Sequence, residues 1–252
     1  MSAASAGTGI RRFRMAENSI GTWLKLPTIV SAELAALASL DFVVIDLEHS
    51  TIPLDTAASM IAVLRRTETR PFVRVPDHGA TTIQRMLDAG ATGVIAPHVE
   101  SADEARAVVR AARFHPRGER GFGPTSRAGD WGLTPWSTFL AGGDEVGVIA
   151  QIESRKAVAE VDQIMAEDID AVLVGAADLS VELGATPDDP AVTEAMQNVR
   201  ERAQAAGMPC GTAIGAASAA VVRARSDGYD FVIAGNDASV LGLGLRSLRP
   251  AE

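Results

Sequence analysis

Carboxylates, histidines, an arginine and a glutamine recur in this sequence at one kind of place, the end of a short apolar run. Asp46-Leu47-Glu48-His49 closes the run from Phe42. Arg74 lies inside Pro71–Val75, and His98 and Glu100 follow Gly93–Pro97. Gln151-Ile152-Glu153 ends the run from Gly147, Gly175-Ala176-Ala177-Asp178 the run from Ala171, and Asn236-Asp237 the run from Phe231. Charge beside apolar sequence is costly to bury unless it is paired or binds a metal, so such a ring is read as functional.

Each residue has a chemical reading and a plainer one. Glu153 and Asp178 offer hard oxygen donors that suit Mg²⁺, Mn²⁺ or Co²⁺; otherwise each caps the helix after it. His49 titrates near neutrality and could be a general base, or bond to backbone. Arg74 must face a partner, either a structural carboxylate or a substrate oxyanion. Asp88 stands at a helix end, where a negative charge opposes the dipole and needs a cation, unless solvent alone satisfies it. Trp23 either lines a pocket or fills the barrel floor. His98 either shapes the pocket or is an exposed loop residue. Cys210 is expected in the core.

The elements that must position these groups are legible as a pattern. Eight short apolar runs occur: Ile20–Leu24, Phe42–Asp46, Pro71–Val75, Gly93–Pro97, Gly147–Ile152, Ala171–Gly175, Met208–Thr212 and Phe231–Gly235. They are apolar on both faces, as buried parallel strands are. Helical patterns separate them, at Ser31–Ser39 with Ser31 as cap, Asp55–Arg66, Thr81–Ala89, Ser101–Arg113, Ser154–Glu167, Pro190–Ala206, Ala216–Ser226 and from Asp237 onward. Ser101 and Glu104 form a capping-box pattern, and Gly90, Gly207 and Gly228 stand where helices end. Strict alternation predicts an α/β (β/α)8 TIM barrel, with chemistry at the C-terminal strand ends. A doubly wound sheet would place a glycine-rich loop after the first strand, where Trp23-Leu24-Lys25-Leu26-Pro27 stands instead. The long segment Phe114–Glu145 is expected to fold over the mouth.

Composition bounds the rest. The 252 residues carry a net charge of −9 and 47% are apolar, which suits one large domain (19–252) behind a flexible tail (1–18). That charge argues against binding nucleic acid or an anionic membrane. A single cysteine excludes an internal disulfide and fits a cytoplasmic protein. Residues 1–10 are rich in Ser, Ala and Gly, unlike a signal peptide, and no run is long enough to span a membrane.

Taken in order, Asp-Leu-Glu-His at 46–49, Phe-Val-Arg-Val-Pro at 72–76, Leu-Asp-Ala-Gly at 87–90, Arg-Gly-Phe-Gly at 120–123, Gln-Ile-Glu-Ser at 151–154 and Ala-Ala-Asp-Leu-Ser at 176–180 resemble the HpcH/HpaI aldolase family from about Gly21 to the last strand. The resemblance implies a class II aldolase that needs a divalent metal, no organic cofactor and no Schiff-base lysine; no lysine stands in the ring above. It implies Glu153 and Asp178 as metal ligands, and Arg74 with Gln151 at the ketone oxygen. Gly175 and the amides of Ala177 and Asp178 would hold the substrate carboxylate, and Trp23 the pocket wall. His49 oriented by Asp88 would be the acid–base pair. Pyruvate or hydroxypyruvate and an aldehyde would be the products. The resemblance further implies a homo-oligomer, trimer or hexamer, with sites near subunit boundaries. Two departures stand out: Ala176 replaces the family's usual proline, and His98 stands where the family often has methionine.

Two other functions compete. An acyl-CoA lyase of the citrate-lyase-β type would share the fold, but this chain shows no basic patch for CoA phosphates. A barrel that merely binds metabolites would require a degraded site.

Overall fold

A computed structural model describes residues 15–143 and 145–249. Eight parallel strands close into a barrel in sequence order: β1 Ser19–Leu24, β2 Phe42–Asp46, β3 Arg70–Arg74, β4 Gly93–Ala96, β5 Gly147–Ile152, β6 Ala171–Val174, β7 Cys210–Ile214 and β8 Phe231–Asn236. The helices around them are α1 Ile29–Leu37, α2 Leu54–Leu64, α3 Ala80–Asp88, α4 Ala102–Ala112, α5 Trp136–Gly142, α6 Arg155–Met165, α7 Ala176–Glu182, α8 Pro190–Ala206, α9 Ser218–Ser226 and α10 Asp237–Arg246. The expected (β/α)8 barrel is what forms. Of the expected tail, residues 1–14 lie outside the described residues, while Met15 is buried with the barrel interior.

The strands bury both faces because each works in two cores. Val43, Ile45, Val73 and Val94 point outward to the helices, whereas Phe42, Val44, Phe72, Ile95 and Ile149 fill the barrel. Phe42 meets Phe72 and Phe231 edge to face at 5.8 and 6.2 Å between centroids. That floor needs glycine beside the rings on the neighbouring strands: a Cβ at Gly21 or Gly211 would lie 2.4 or 2.2 Å from the Phe42 or Phe231 ring. With the floor so packed, the interior cannot serve as a channel, and a cavity opens at the C-terminal end, lined by Trp23, Lys25, Ala176 and Ala177.

Several boundaries differ from the sequence reading. Thr28, not Ser31, caps α1, and its side chain accepts from the Val30 amide. Strand β7 begins at Cys210, two residues late, because Met208 and Pro209 still belong to the turn. Helix α9 starts at Ser218 instead of Ala216. At α4, Ser101 accepts from the Glu104 amide, but Glu104 returns its bond to the Glu100 amide at 2.7 Å, one residue early. Gly90, Gly207 and Gly228 do end their helices, all with positive φ. The 114–145 segment is neither bare loop nor a cover for the mouth: Arg120 reaches Asp88 at the end of α3 and Asp130 accepts from Arg65 at the end of α2, both at the opposite end of the barrel. It holds a 3-10 turn, Arg127–Gly132, and α5, pinned by Phe114, Phe122, Trp136 and Phe139 packed with centroids 4.3–5.6 Å apart.

Candidate active site

The polar residues gather at the C-terminal mouth. Parallel pairing sets Asp46 beside Arg74 across β2 and β3. Arg74 donates to Asp46 twice, Nε to Oδ1 at 2.9 Å and Nη2 to Oδ2 at 2.8 Å. Its third nitrogen, Nη1, lies 2.9 Å from Glu48 Oε2, and its guanidinium stacks 4.3 Å from the centre of the Trp23 ring. Trp23 is thus a wall of the site, on the mouth side of the phenylalanine floor. Burial alone would raise the Asp46 carboxyl. Arg74, Lys25 and the His49 amide outweigh burial and hold it at about 2.

Lys25 is a residue the sequence reading missed. It follows β1 directly, and its Nζ lies 2.8 Å from Asp46 Oδ2. The absence of lysine from the ring is therefore corrected: one strand-end lysine stands there, tied to a carboxylate. Its loop is held by Asp237 at the start of α10, which accepts from the amides of Lys25 (2.8 Å) and Leu26 (3.1 Å).

Glu153 is buried at the end of β5 and is not a helix cap; Ser154 has that role, accepting from the Ala157 amide. Its Oε1 accepts from the His98 amide at 2.8 Å, and its Oε2 is bonded to the Gln151 side-chain amide. Asp178 is the third residue of α7, exposed, and it makes no capping bond. Burial pushes the Glu153 carboxyl up, and the charge of Asp178 adds to the rise; bonds from His98 and Gln151 oppose it. A buried carboxylate pushed up by burial and by a second carboxylate beside it is a donor set whose repulsion a divalent cation would relieve.

Two further observations fit a metal there. Gly175 passes so close that a Cβ on it would lie 3.1 Å from Glu153 Oε2, so its missing side chain leaves room on that side of the oxygen. Gln151 Oε1 is buried with no hydrogen-bond partner. With alanine in place of the family's proline, Ala176 still opens α7, with Gly175 as N-cap.

The expected His49–Asp88 pair is not formed within this chain. His49 is exposed, with Nε2 3.7 Å from Glu48 Oε2. Asp88, at the end of α3, instead receives Nη2 of buried Arg120 at 2.7 Å. Arg120 comes from the 114–145 segment and stacks 4.7 Å from the Phe114 ring. Its partner is the cation that the sequence position of Asp88 demanded, but it is not the histidine.

A family model, HpcH/HpaI aldolase/citrate lyase, matches residues 19–242. The chain belongs to this family. Among curated members, a hydroxypyruvate/pyruvate aldolase of Rhizorhabdus wittichii is 37% identical over 236 residues, 91% of this chain and 92% of that one. A 5-keto-4-deoxy-D-glucarate aldolase of Salmonella arizonae is 34% identical, over 91% and 90% of the two chains. A crystal structure of an HpcH/HpaI aldolase/citrate lyase family protein from Burkholderia cenocepacia superposes with a TM-score of 0.87 at 32% identity, over 92% of this chain and 93% of that one. As a member of the HpcH/HpaI family, the chain is a carbon–carbon lyase of the class II aldolase type. Among the described residues no helix is long and apolar enough to cross a membrane.

Proposed function

We propose that the chain catalyses reversible aldol cleavage of a 4-hydroxy-2-oxo acid to pyruvate or hydroxypyruvate and an aldehyde. Glu153 and Asp178 would hold a divalent Mg²⁺, Mn²⁺ or Co²⁺, with no organic cofactor. The observation that carries this reading is Glu153: a buried carboxylate whose Oε2, bonded to the Gln151 side-chain amide, has room beside it because Gly175 lacks a side chain. When bound, the ion supplies Lewis acidity at the donor's ketone oxygen.

The chain's own groups do the rest. Arg74, locked by Asp46, presents positive charge where the enolate oxygen develops, and needs no rearrangement to do so. Gln151 orients beside it. The first-turn amides of α7 at Ala177 and Asp178 face the donor carboxylate. The Trp23 ring excludes water from the donor's flank. In cleavage, His49 takes the proton of the C4 hydroxyl as the C3–C4 bond breaks; its exposure leaves it free to exchange that proton with water.

Asp88 would reach a histidine only across a subunit boundary, since its own chain gives it Arg120. A homo-oligomer, trimer or hexamer, is supported by α10, which buries none of its residues, and by the apolar rows Val30, Leu34 and Leu37 and Leu241, Leu243 and Leu245 left exposed. A cytoplasmic location suits the one buried thiol, Cys210.

Lactate dehydrogenase-coupled release of pyruvate from a 4-hydroxy-2-oxo acid tests the reading. EDTA-stripped protein should be inactive and regain activity with Mn²⁺ or Mg²⁺. Release of CoA from an acyl-CoA instead, with no pyruvate, would favour the citrate-lyase-β type. Neither product with any ion would leave only a metabolite-binding barrel.

A further inference from the structure

We propose that His98 is a positioning residue: it holds Oε1 of Glu153 so that Oε2 faces β6 and the metal. The proposal rests on the metal-dependent reading above and adds a residue that reading does not use.

The geometry begins with the backbone. His98 sits at φ 51, in the left-handed region that a residue with a Cβ seldom adopts. What the turn secures is convergence on one oxygen. The His98 amide donates to Glu153 Oε1 at 2.8 Å, and ring Nδ1 lies 3.1 Å from the same atom. The peptide group that carries this amide is clamped at its other end, because the Pro97 carbonyl oxygen lies 2.7 Å from His78 Nε2. The ring is tethered too, with Nε2 3.1 Å from Glu48 Oε1. His98 thus bridges the ends of β2 and β5 across the mouth.

With both His98 contacts on Oε1, the carboxylate plane is set so that Oε2, which also accepts from the Gln151 side-chain amide, lies on the side where Gly175 leaves room and where α7 brings Asp178. Outer-shell bonds that fix a ligand in this way are worth about 10- to 100-fold in metal affinity. His98 is not assigned as a ligand itself, since Oε1 and the ring face each other on the side away from β6.

The test is Mn²⁺ affinity of the full chain, read from free Mn²⁺ by electron paramagnetic resonance, with the visible spectrum of bound Co²⁺ as a second readout. His98→Ala should bind Mn²⁺ about 10- to 100-fold more weakly. His98→Asn, which tolerates positive φ and keeps a side-chain donor, should recover most of that loss. Both should leave the Co²⁺ band shape unchanged, as for a residue outside the coordination sphere. Equal Mn²⁺ affinity in wild type and His98→Ala would overturn the proposal, as would a Co²⁺ spectrum altered by loss of the ring. If His98→Ala does not fold, the same comparison stands on His98→Gly, which keeps the positive φ without the ring and should likewise bind Mn²⁺ about 10-fold or more weakly, equal affinity again overturning the proposal. Wild-type protein that binds neither ion would instead sink the metal reading beneath it.

Discussion

Arg74 and Asp46 form a two-pronged pair, at 2.9 and 2.8 Å, that leaves the third guanidinium nitrogen to Glu48, 2.9 Å away. The planar fork is what makes this possible, and lysine cannot reproduce it. Arg74→Lys should therefore keep the fold and still lose about 10²-fold in kcat/KM, chiefly in kcat, because the charge no longer sits where the enolate oxygen forms. Steady-state kinetics on a 4-hydroxy-2-oxo acid decide it; a change confined to KM would mean that Arg74 only binds the ground state.

Glu153 predicts a trade of stability for function. Burial raises its carboxyl above the ordinary 4.5, so the folded state holds a proton that the unfolded state has already released. As pH rises from the unfolded value through the raised folded one, metal-free protein should lose stability. Glu153→Gln should remove that slope and raise Tm near neutral pH by about 2–4 °C, the shift that about 1 kcal/mol makes in a domain of this size. Metal-free melting curves against pH would show this; an unchanged slope would mean that Glu153 is not the group responsible.

Gly175 is a steric test with no backbone strain in it, since its φ is −97°. Gly175→Ala places a methyl against the Glu153 Cβ and Oε2 at 3.0 and 3.1 Å. The expected result is a folded protein with Mn²⁺ binding weakened about 10-fold or more, in the range of other changes beside a metal ligand. Titration calorimetry with unchanged affinity would place the ion elsewhere.

The strands are readable in the sequence because strands buried on both faces are written as unbroken apolar runs, and Gly90, Gly207 and Gly228 mark helix ends by a conformation that glycine favours. Thr28 and Ser31 are less separable, since both side chains can cap and they stand one turn apart. The site residues already at strand ends, Asp46, Arg74, Gln151 and Glu153, come together as the barrel requires. Lys25 does not announce itself, because a lysine after a strand usually reaches solvent, and only closure of β1 onto β2 brings it to Asp46. The partner of Asp88 is similarly hidden: Arg120 is 32 residues away, in a segment whose course depends on packed aromatic rings.

That pairing gives Asp88 a structural share which its expected role with His49 would not. Arg120 has a nearly buried side chain, and removing its carboxylate strands a charge. Asp88→Ala should cost about 2 kcal/mol by urea unfolding, below the usual loss for a fully buried pair because Asp88 is partly open to water. Loss of activity with no loss of stability would point instead to a purely catalytic Asp88, reached by a neighbour's histidine.

The central claim, a metal-dependent enolate formed at Glu153 and Asp178, is tested most directly without any aldehyde. Incorporation of deuterium at C3 of pyruvate in D₂O, followed by proton NMR, reports enolate formation alone. Exchange is expected with added Mn²⁺ or Mg²⁺, none after EDTA, and none in folded Glu153→Ala or Asp178→Ala. Exchange that persists in EDTA, or in either variant, would contradict the claim.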